Sequence, residues 1–363
     1  MRNVLLVGEA YGGGVKTYID TIMLNQEKEI PICFQALVSS KRLENNEGID
    51  HSYLIENNMS FGKSPFKLIK ALRTLHQVII EKKIDIVHAN STFAGILIYL
   101  YSFLNRKPFY IYSPHGYYSF KSMRKAKKKL VRFVEKRINK SSDLIIHVST
   151  SEEREAIENK LTKAGKSTVV LNGSKDPEVK AIGRVNDVFT IVNLARVDDP
   201  KNPFEFIEIA RNILNKDMNV NFIWAGNGKY LEEARKKVKE YGLAEKVEFI
   251  GFSSEKEKIF LKSDLYLSTS QYEGLPFAVV EAMSYRLPLL LSNIIGHTDL
   301  VVEKENGLLF NNKEDHAIYE FVENLIQNPE QWEVLSNNSY RIFNDRFNIN
   351  QMLKKLITIY QSV

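Results

Sequence analysis

This chain has little cysteine, little tryptophan and no long apolar run. Cys33, the single cysteine, cannot close an intramolecular disulfide, so no disulfide framework organises the fold. The longest apolar stretch, Phe93 to Leu104, has 12 residues and meets Asn105, Arg106 and Lys107, short of the about 18 that a bilayer span requires. The first residues lack the apolar core of a signal peptide, and together with the cysteine count this gives the expectation of a cytoplasmic protein. No Asp-x-Asp occurs anywhere, and the seven histidines show no paired metal-ligand spacing. Metal-independent chemistry is therefore expected.

What is present suits a globular enzyme. Of 363 residues, 44% are hydrophobic and 26% charged, which excludes disorder and collagen-like or membrane-embedded chains and allows two or three domains. The net charge of +6 is concentrated in one segment: Lys121 to Lys140 holds ten Lys or Arg against Glu135 alone, a local +9, leaving −3 for the remainder. Nucleic acid is excluded as the main partner on that distribution. At helical spacing Met123, Ala126, Leu130, Phe133, Val134 and Ile138 form one apolar stripe, with cations on the other faces. Two readings stand: a surface helix packed through that stripe, and a cationic face that meets an anionic membrane surface.

Short β-branched and aromatic runs recur with room for a helix between them. They are Asn3–Val7, Ile32–Val38, Ile84–His88, Phe109–Ser113, Asp143–Val148 and Thr168–Leu171, then Phe189–Leu194, Asn221–Trp224, Val247–Ile250, Asp264–Ser268, Leu287–Leu291 and Gly307–Phe310. Ser64 and Pro65 form a helix start before Phe66, Ile69, Leu72, Leu75 and Val78. The rhythm breaks between Gly173 and Asn186, which predicts an N-terminal domain over 1–173, a linker over 174–187, a C-terminal domain over 188–345 and a terminal helix over 346–363. The expected fold class is α/β, two Rossmann-like doubly wound parallel sheets facing across a cleft, with the terminal helix returning to the first domain.

Glycines and polar residues follow the strands where such a cleft would lie. Gly12, Gly13 and Gly14 precede a helix that begins near Val15, and suit either a tight turn or an anion at the helix N-terminus. Arg196 and Lys201 follow Phe189–Leu194; they suit a diphosphate, or surface pairing with Asp198 and Asp199. Glu273-Gly-Leu-Pro-Phe-Ala-Val-Val-Glu281 places two carboxylates about two turns apart if the helix were continuous. One could hold a ribose diol and the other sugar hydroxyls, with a hydrolase pair as the competing reading.

The run Ser270 to Met283, with Asn193 to Asn202, Ala225-Gly-Asn-Gly228 and Asn306-Gly-Leu-Leu-Phe310, resembles the retaining glycosyltransferases of family 4. In the first half the resemblance rests on Gly12 to Val15, Ser113-Pro-His-Gly116 and Val170-Leu-Asn-Gly173. It implies the GT-B fold, with Glu281 on the nucleotide ribose and Glu273 with the amides of Gly274, Leu275, Pro276 and Phe277 at the donor sugar. It further implies Arg196 and Lys201 at the diphosphate, Gly226, Gly228 and Phe252 around the base, and His115 near the donor sugar; Gly13 and Gly14 join the donor-binding set. By itself a residue such as His115 is more often a hydrogen-bonded structural histidine, and only the motif reverses that. The stretch Ser292 to Asp299 departs from the Gly-rich loop of relatives, which leaves the contacts of Gly296 open, and Lys16 takes no assigned place.

The resemblance thus implies transfer of a sugar, with configuration retained, from a nucleotide-sugar donor, expected to be UDP-linked, to a lipid-linked saccharide in capsule or exopolysaccharide assembly. No further cofactor and no metal is expected. A nucleotide-sugar epimerase on the same fold and a non-catalytic partner protein are the alternatives.

Overall fold

A computed structural model describes residues 2–9, 11–25, 31–39, 54–57, 65–178, 188–216, 218–313 and 316–363. The chain divides into two compact units, Met1–Asn172 with Met352–Val363, and Gly173–Gln351. In the first, strands β1 (Arg2–Gly8), β2 (Ile32–Ser39), β3 (Leu54–Asn57), β4 (Ile86–Ala89), β5 (Phe109–Tyr112), β6 (Leu144–His147) and β7 (Ser167–Val169) form one parallel sheet. Its order is β3-β2-β1-β4-β5-β6-β7. Helices α1 (Gly14–Leu24), α2 (Pro65–Glu81), α3 (Thr92–Tyr101), α4 (Lys125–Ser141) and α5 (Thr150–Glu158) are the crossovers. Val4, Leu5, Leu6 and Val7 are all fully buried, as a strand covered on both faces demands.

The second unit repeats the plan. Strands β8 (Phe189–Leu194), β9 (Val220–Ala225), β10 (Val247–Gly251), β11 (Leu265–Ser268), β12 (Leu289–Ser292) and β13 (Gly307–Phe310) are parallel, in the order β10-β9-β8-β11-β12-β13. Between and after them run α6 (Pro203–Leu214), α7 (Leu231–Glu240), α8 (Lys256–Leu261), α9 (Phe277–Ser284), α10 (His316–Gln327) and α11 (Pro329–Ile342). Helix α12 (Ile349–Ser362) carries its last turns to the first unit, where Tyr360 is fully buried with its ring against Phe34.

Several local expectations are corrected. Strand β3 has no counterpart among the expected runs. The helix start at Ser64 lies outside the described residues, although α2 does begin at Pro65. Of the expected linker, 179–187 lie outside the described residues; the preceding segment is pinned rather than free, since Ser174 bridges to Asn348 and Tyr340 Oη donates to Asp176 Oδ2 at 2.9 Å.

The largest correction concerns the basic segment. Helix α4 starts at Lys125 rather than Lys121, and only part of the apolar stripe packs: Ile138 and Val134 meet the core, whereas Leu130 and Phe133 are 64% and 55% exposed. The buried residues are Glu135, Ile138 and Asn139. Polar groups nearby explain the rotation. Glu135 accepts from the Ser119 amide at 3.1 Å, and Asn139 Nδ2 donates to Tyr117 Oη and the Leu161 carbonyl, each at 3.0 Å. Burying Leu130 in their place would strand those loop groups without partners.

Hydrogen bonds also lock the second sheet to its helices. Asp264 accepts from the Thr190 amide at 2.8 Å, while its carbonyl accepts from Trp332 Nε1 at 2.7 Å. Trp332→Phe removes the bond from Nε1, and should lower unfolding free energy by about 0.5–1.5 kcal/mol in urea titrations.

Candidate active site

In the second unit β8 and β11 are neighbours, yet the chain leaves β8 toward β9 and β11 toward β12, in opposite directions along the sheet. Such a switch point opens a crevice at the carboxyl ends of the two strands. Arg196 and Lys201 lie beyond β8, and Glu273 beyond β11. Hydrogen bonds hold the two loops together: Thr269 Oγ1 donates to the carbonyls of Lys201 and Asn202 at 3.0 Å, and the Gln271 amide to the Pro200 carbonyl at 2.9 Å. Lys201 closes a one-turn 3-10 helix, Asp199–Lys201, and its ammonium reaches the Glu273 carboxylate directly.

This pair is largely removed from water, with 21% and 12% of the two side chains exposed. Ser270 Oγ adds a hydrogen bond to Glu273 Oε1 at 2.7 Å. Burial alone would raise the Glu273 carboxyl; the Lys201 ammonium, His297 and the hydrogen bonds from Lys201 and Ser270 outweigh it and hold the group below the ordinary glutamate value. His297 itself is fully buried, and burial pushes its imidazole down to about 4 against the raising influence of Glu273. Its Nδ1 lies 2.8 Å from the Ser292 carbonyl and so carries the proton, and among the described residues no partner meets Nε2. Sequence reasoning passed over this residue because a lone histidine in a divergent loop gives no signal.

The residues expected to act together are joined only in part. Arg196 is 66% exposed at its side chain and pairs with Asp198 at 2.9 Å; Asp199 instead engages Lys229 and Tyr230. Surface pairing thus describes Arg196 but not Lys201. Glu281 meets Lys256 at 2.7 Å. The helical path between the two glutamates is not continuous: α9 starts only at Phe277, after Pro276 with ψ 120°, so Glu273 sits in the loop ahead of it. No side chain caps α9. Gly296, at φ +85°, packs so tightly that a Cβ there would stand 2.4 Å from the Gly274 carbonyl oxygen, which places the divergent loop directly over the Glu273 turn.

Gly226 and Gly228 have a clear structural duty. A Cβ on either would lie 2.0 or 2.3 Å from the carbonyl oxygens of Ala195 and Val197, so both allow the loops after β8 and β9 to touch backbone to backbone. Phe252, 69% exposed, is held by its amide donating to Asn227 Oδ1 at 3.0 Å.

In the first unit the switch point falls between β1 and β4. Gly13, at φ +58°, leads into α1, which starts at Gly14 and has no side-chain cap, and Lys16 is tied to Asp20. His115 follows β5 in a left-handed conformation, φ +52°. Its Nε2 lies 3.1 Å from Asn90 Oδ1, and the next amide, of Gly116, donates to buried Glu152 at 2.5 Å. Burial pushes the His115 imidazole down to about 3.

Two doubly wound parallel units with polar residues at their switch points define a GT-B glycosyltransferase. Residues 174–342 match the family Glycosyl transferases group 1, and residues 12–174 match Glycosyltransferase Family 4. The two matches together span residues 12–342, so the chain is similar to glycosyltransferases in its first half and its second. It is 28% identical over 376 residues to the capsular polysaccharide biosynthesis glycosyltransferase CapH of Staphylococcus aureus, covering 97% of this chain and 96% of that one. It is 25% identical to the UDP-Gal:alpha-D-GlcNAc-diphosphoundecaprenol alpha-1,3-galactosyltransferase of Escherichia coli, covering 82% and 80%. Among solved structures, Anabaena HepE in complex with UDP-glucose aligns over the full length of both chains with a TM-score of 0.80 at 19% identity. Sucrose-phosphate synthase from Thermosynechococcus elongatus aligns at 0.85 and 16%, over 100% of this chain and 99% of that one.

The depressed carboxyl of Glu273 carries a pH signature. Its folded value lies below the unfolded one, so its stabilisation is fully present above about pH 4.5 and lost as pH falls through the folded value. The difference in urea midpoint between wild type and Glu273→Gln should therefore be greatest near neutrality and shrink in acid.

Proposed function

We propose that this enzyme is a retaining glycosyltransferase that moves a sugar from a UDP-sugar to a hydroxyl of a lipid-linked saccharide during cell-surface polysaccharide assembly. The observation that carries the reading is the desolvated Lys201–Glu273 pair at the switch point of the second sheet. An ammonium has three N–H donors, so Lys201 can hold Glu273 with one and a departing diphosphate with another. Ionised Glu273 accepts hydroxyls of the transferred sugar through the lone pairs not taken by Lys201 and Ser270. Arg196 supplies a second cation to the diphosphate after exchanging Asp198 for it; Glu281 takes the ribose diol after exchanging Lys256.

In this reading residues 188–345, with Gly226, Gly228, the exposed ring of Phe252 and the uncapped α9 turn, bind the nucleotide sugar. Residues 1–173, with Gly13, Gly14 and His115, serve the acceptor and the reacting sugar, and 174–187 and 346–363 connect them. The acceptor hydroxyl attacks the anomeric carbon on the face the diphosphate leaves, so configuration is kept. The sequence has no Asp-x-Asp motif to carry a metal, and the two cations take over charge neutralisation. The donor and acceptor classes are supported by the activity of the Escherichia coli relative, and the polysaccharide setting by the capsular role of the Staphylococcus aureus one.

The test is a panel of UDP-glucose, UDP-galactose, UDP-N-acetylglucosamine and UDP-glucuronic acid, by calorimetry and by transfer to undecaprenyl-diphosphate saccharides. Lys201→Ala and Glu273→Ala should lower turnover by about 10²–10³-fold with the fold intact, in line with loss of one preorganised charge-stabilising contact. Glu281→Ala should weaken donor binding. Failure of every nucleotide sugar to bind defeats the reading, and a new sugar nucleotide formed without acceptor would identify an epimerase instead.

Helix α4 supports the membrane part. No helix among the described residues is long and apolar enough to cross a membrane, whereas α4 exposes Leu130 and Phe133 among Lys127, Lys129 and Arg137, the last lying 4.9 Å over the Phe133 ring. Apolar side chains that enter the headgroup boundary, flanked by cations worth about 1 kcal/mol each at an anionic surface, suit a peripheral contact. Changing Lys127, Lys128 and Lys129 to Glu, or Leu130 and Phe133 to Ser, should abolish flotation with phosphatidylglycerol vesicles. Unchanged flotation would refute the contact.

A further inference from the structure

In the proposed reading His115 lies beside the reacting sugar, and the question is which of its two ring nitrogens does what. Asn90, one residue beyond β4 and fully buried, answers that question. Its Nδ2 faces the His88 carbonyl at 2.9 Å, and because two oxygens cannot hydrogen-bond to each other, the atom turned to that carbonyl must be the amide nitrogen. The other end of the amide, Oδ1, is then the atom 3.1 Å from His115 Nε2. A carbonyl oxygen only accepts, so Nε2 carries the hydrogen.

The anchor of this arrangement is itself immobile. The His88 ring is gripped at both nitrogens, with Tyr360 Oη 2.7 Å from Nδ1 and Ser113 Oγ 2.8 Å from Nε2. Ser113 lies two residues before His115, and the Glu152 carboxylate takes the Gly116 amide just after it, so the backbone on both sides of His115 is fixed by buried groups. The Tyr18 ring packs against the imidazole at a steep angle, its centroid 4.6 Å from that of His115. The half-buried imidazole is kept neutral by burial and therefore has one N–H and one lone pair.

We propose that Asn90 is a positioning residue that holds His115 as its Nε2–H tautomer, presenting the Nδ1 lone pair as the acceptor for a hydroxyl of the transferred sugar. The inference rests on the reading of His115 as a contact of that sugar. It gives the contact a definite sense: a group at Nδ1 must donate, which a sugar hydroxyl does and a phosphate oxygen does not. A swapped tautomer would point an N–H at Nδ1 and strand the Asn90 oxygen against a bare ring nitrogen.

Nitrogen-15 NMR of the full-length protein at pH 7 reads the tautomer directly, with the His115 resonances assigned by their loss in His115→Gln. Wild type should show a protonated Nε2 and a bare Nδ1. Asn90→Leu, similar in size but without an acceptor, should give a mixed or inverted tautomer, and Asn90→Ala provides the same readout should the leucine variant fail to fold. With UDP-glucose, UDP-galactose and UDP-N-acetylglucosamine as donors, the folded variant should lose up to about a hundredfold in kcat while donor KM stays within about threefold, the pattern of a misoriented contact rather than lost binding. A wild-type Nδ1–H tautomer, or an Asn90 variant that keeps both tautomer and turnover, overturns the proposal. If Asn90→Leu shifts the tautomer without loss of turnover while His115→Ala abolishes transfer, Asn90 is not a positioning residue and the active-site reading survives. If His115→Ala leaves transfer intact, that reading of His115 falls, and the positioning role falls with it.

Discussion

The contact that organises the switch point of the second unit is the ion pair between Lys201 and Glu273. A carboxylate left 12% exposed without a cation would be driven toward its neutral form, and a neutral carboxyl cannot act as acceptor alone. The pair exists because two loops from adjacent strands are stitched together by Thr269 and Gln271, and Gly296, having no Cβ, lets a third loop lie on the Gly274 carbonyl. Charge, burial and loop geometry are therefore one constraint. Loosening any loop changes the electrostatics of the site before it changes the fold.

The first unit solves a different problem. Its polar interior carries no charged pair at His115. Neutral imidazoles, an amide and hydroxyls interlock instead, with Glu152 taking amides of two separate loops, Gly116 at 2.5 Å and Val148 at 3.1 Å. Such networks specify one arrangement because a half-satisfied member costs more than an apolar replacement would. That rigidity suits a residue held at φ +52°, a conformation that a non-glycine side chain keeps only when its neighbours enforce it.

The architecture was largely legible in the residues. Buried parallel strands read as unbroken apolar runs, so the second sheet and most of the first could be placed, and the Glu273 to Glu281 segment carried its own signature. What escaped was set by tertiary partners. The orientation of α4 was decided by Ser119, Tyr117 and Leu161, which offered hydrogen bonds to Glu135 and Asn139 and so overrode part of the apolar stripe. Asn90 and His297 gave no periodic or spacing signal, since their importance lies in which atoms face them. Gly226 and Gly228 stood out only through the family resemblance, and their close approach to the carbonyls of Ala195 and Val197 left no mark in the sequence.

Tyr360 closes the hydrogen-bonded core around His88 in the first unit, although the whole second unit separates the two residues in sequence. The first unit is therefore woven from two distant stretches of chain, and its polar interior is complete only when both are in place.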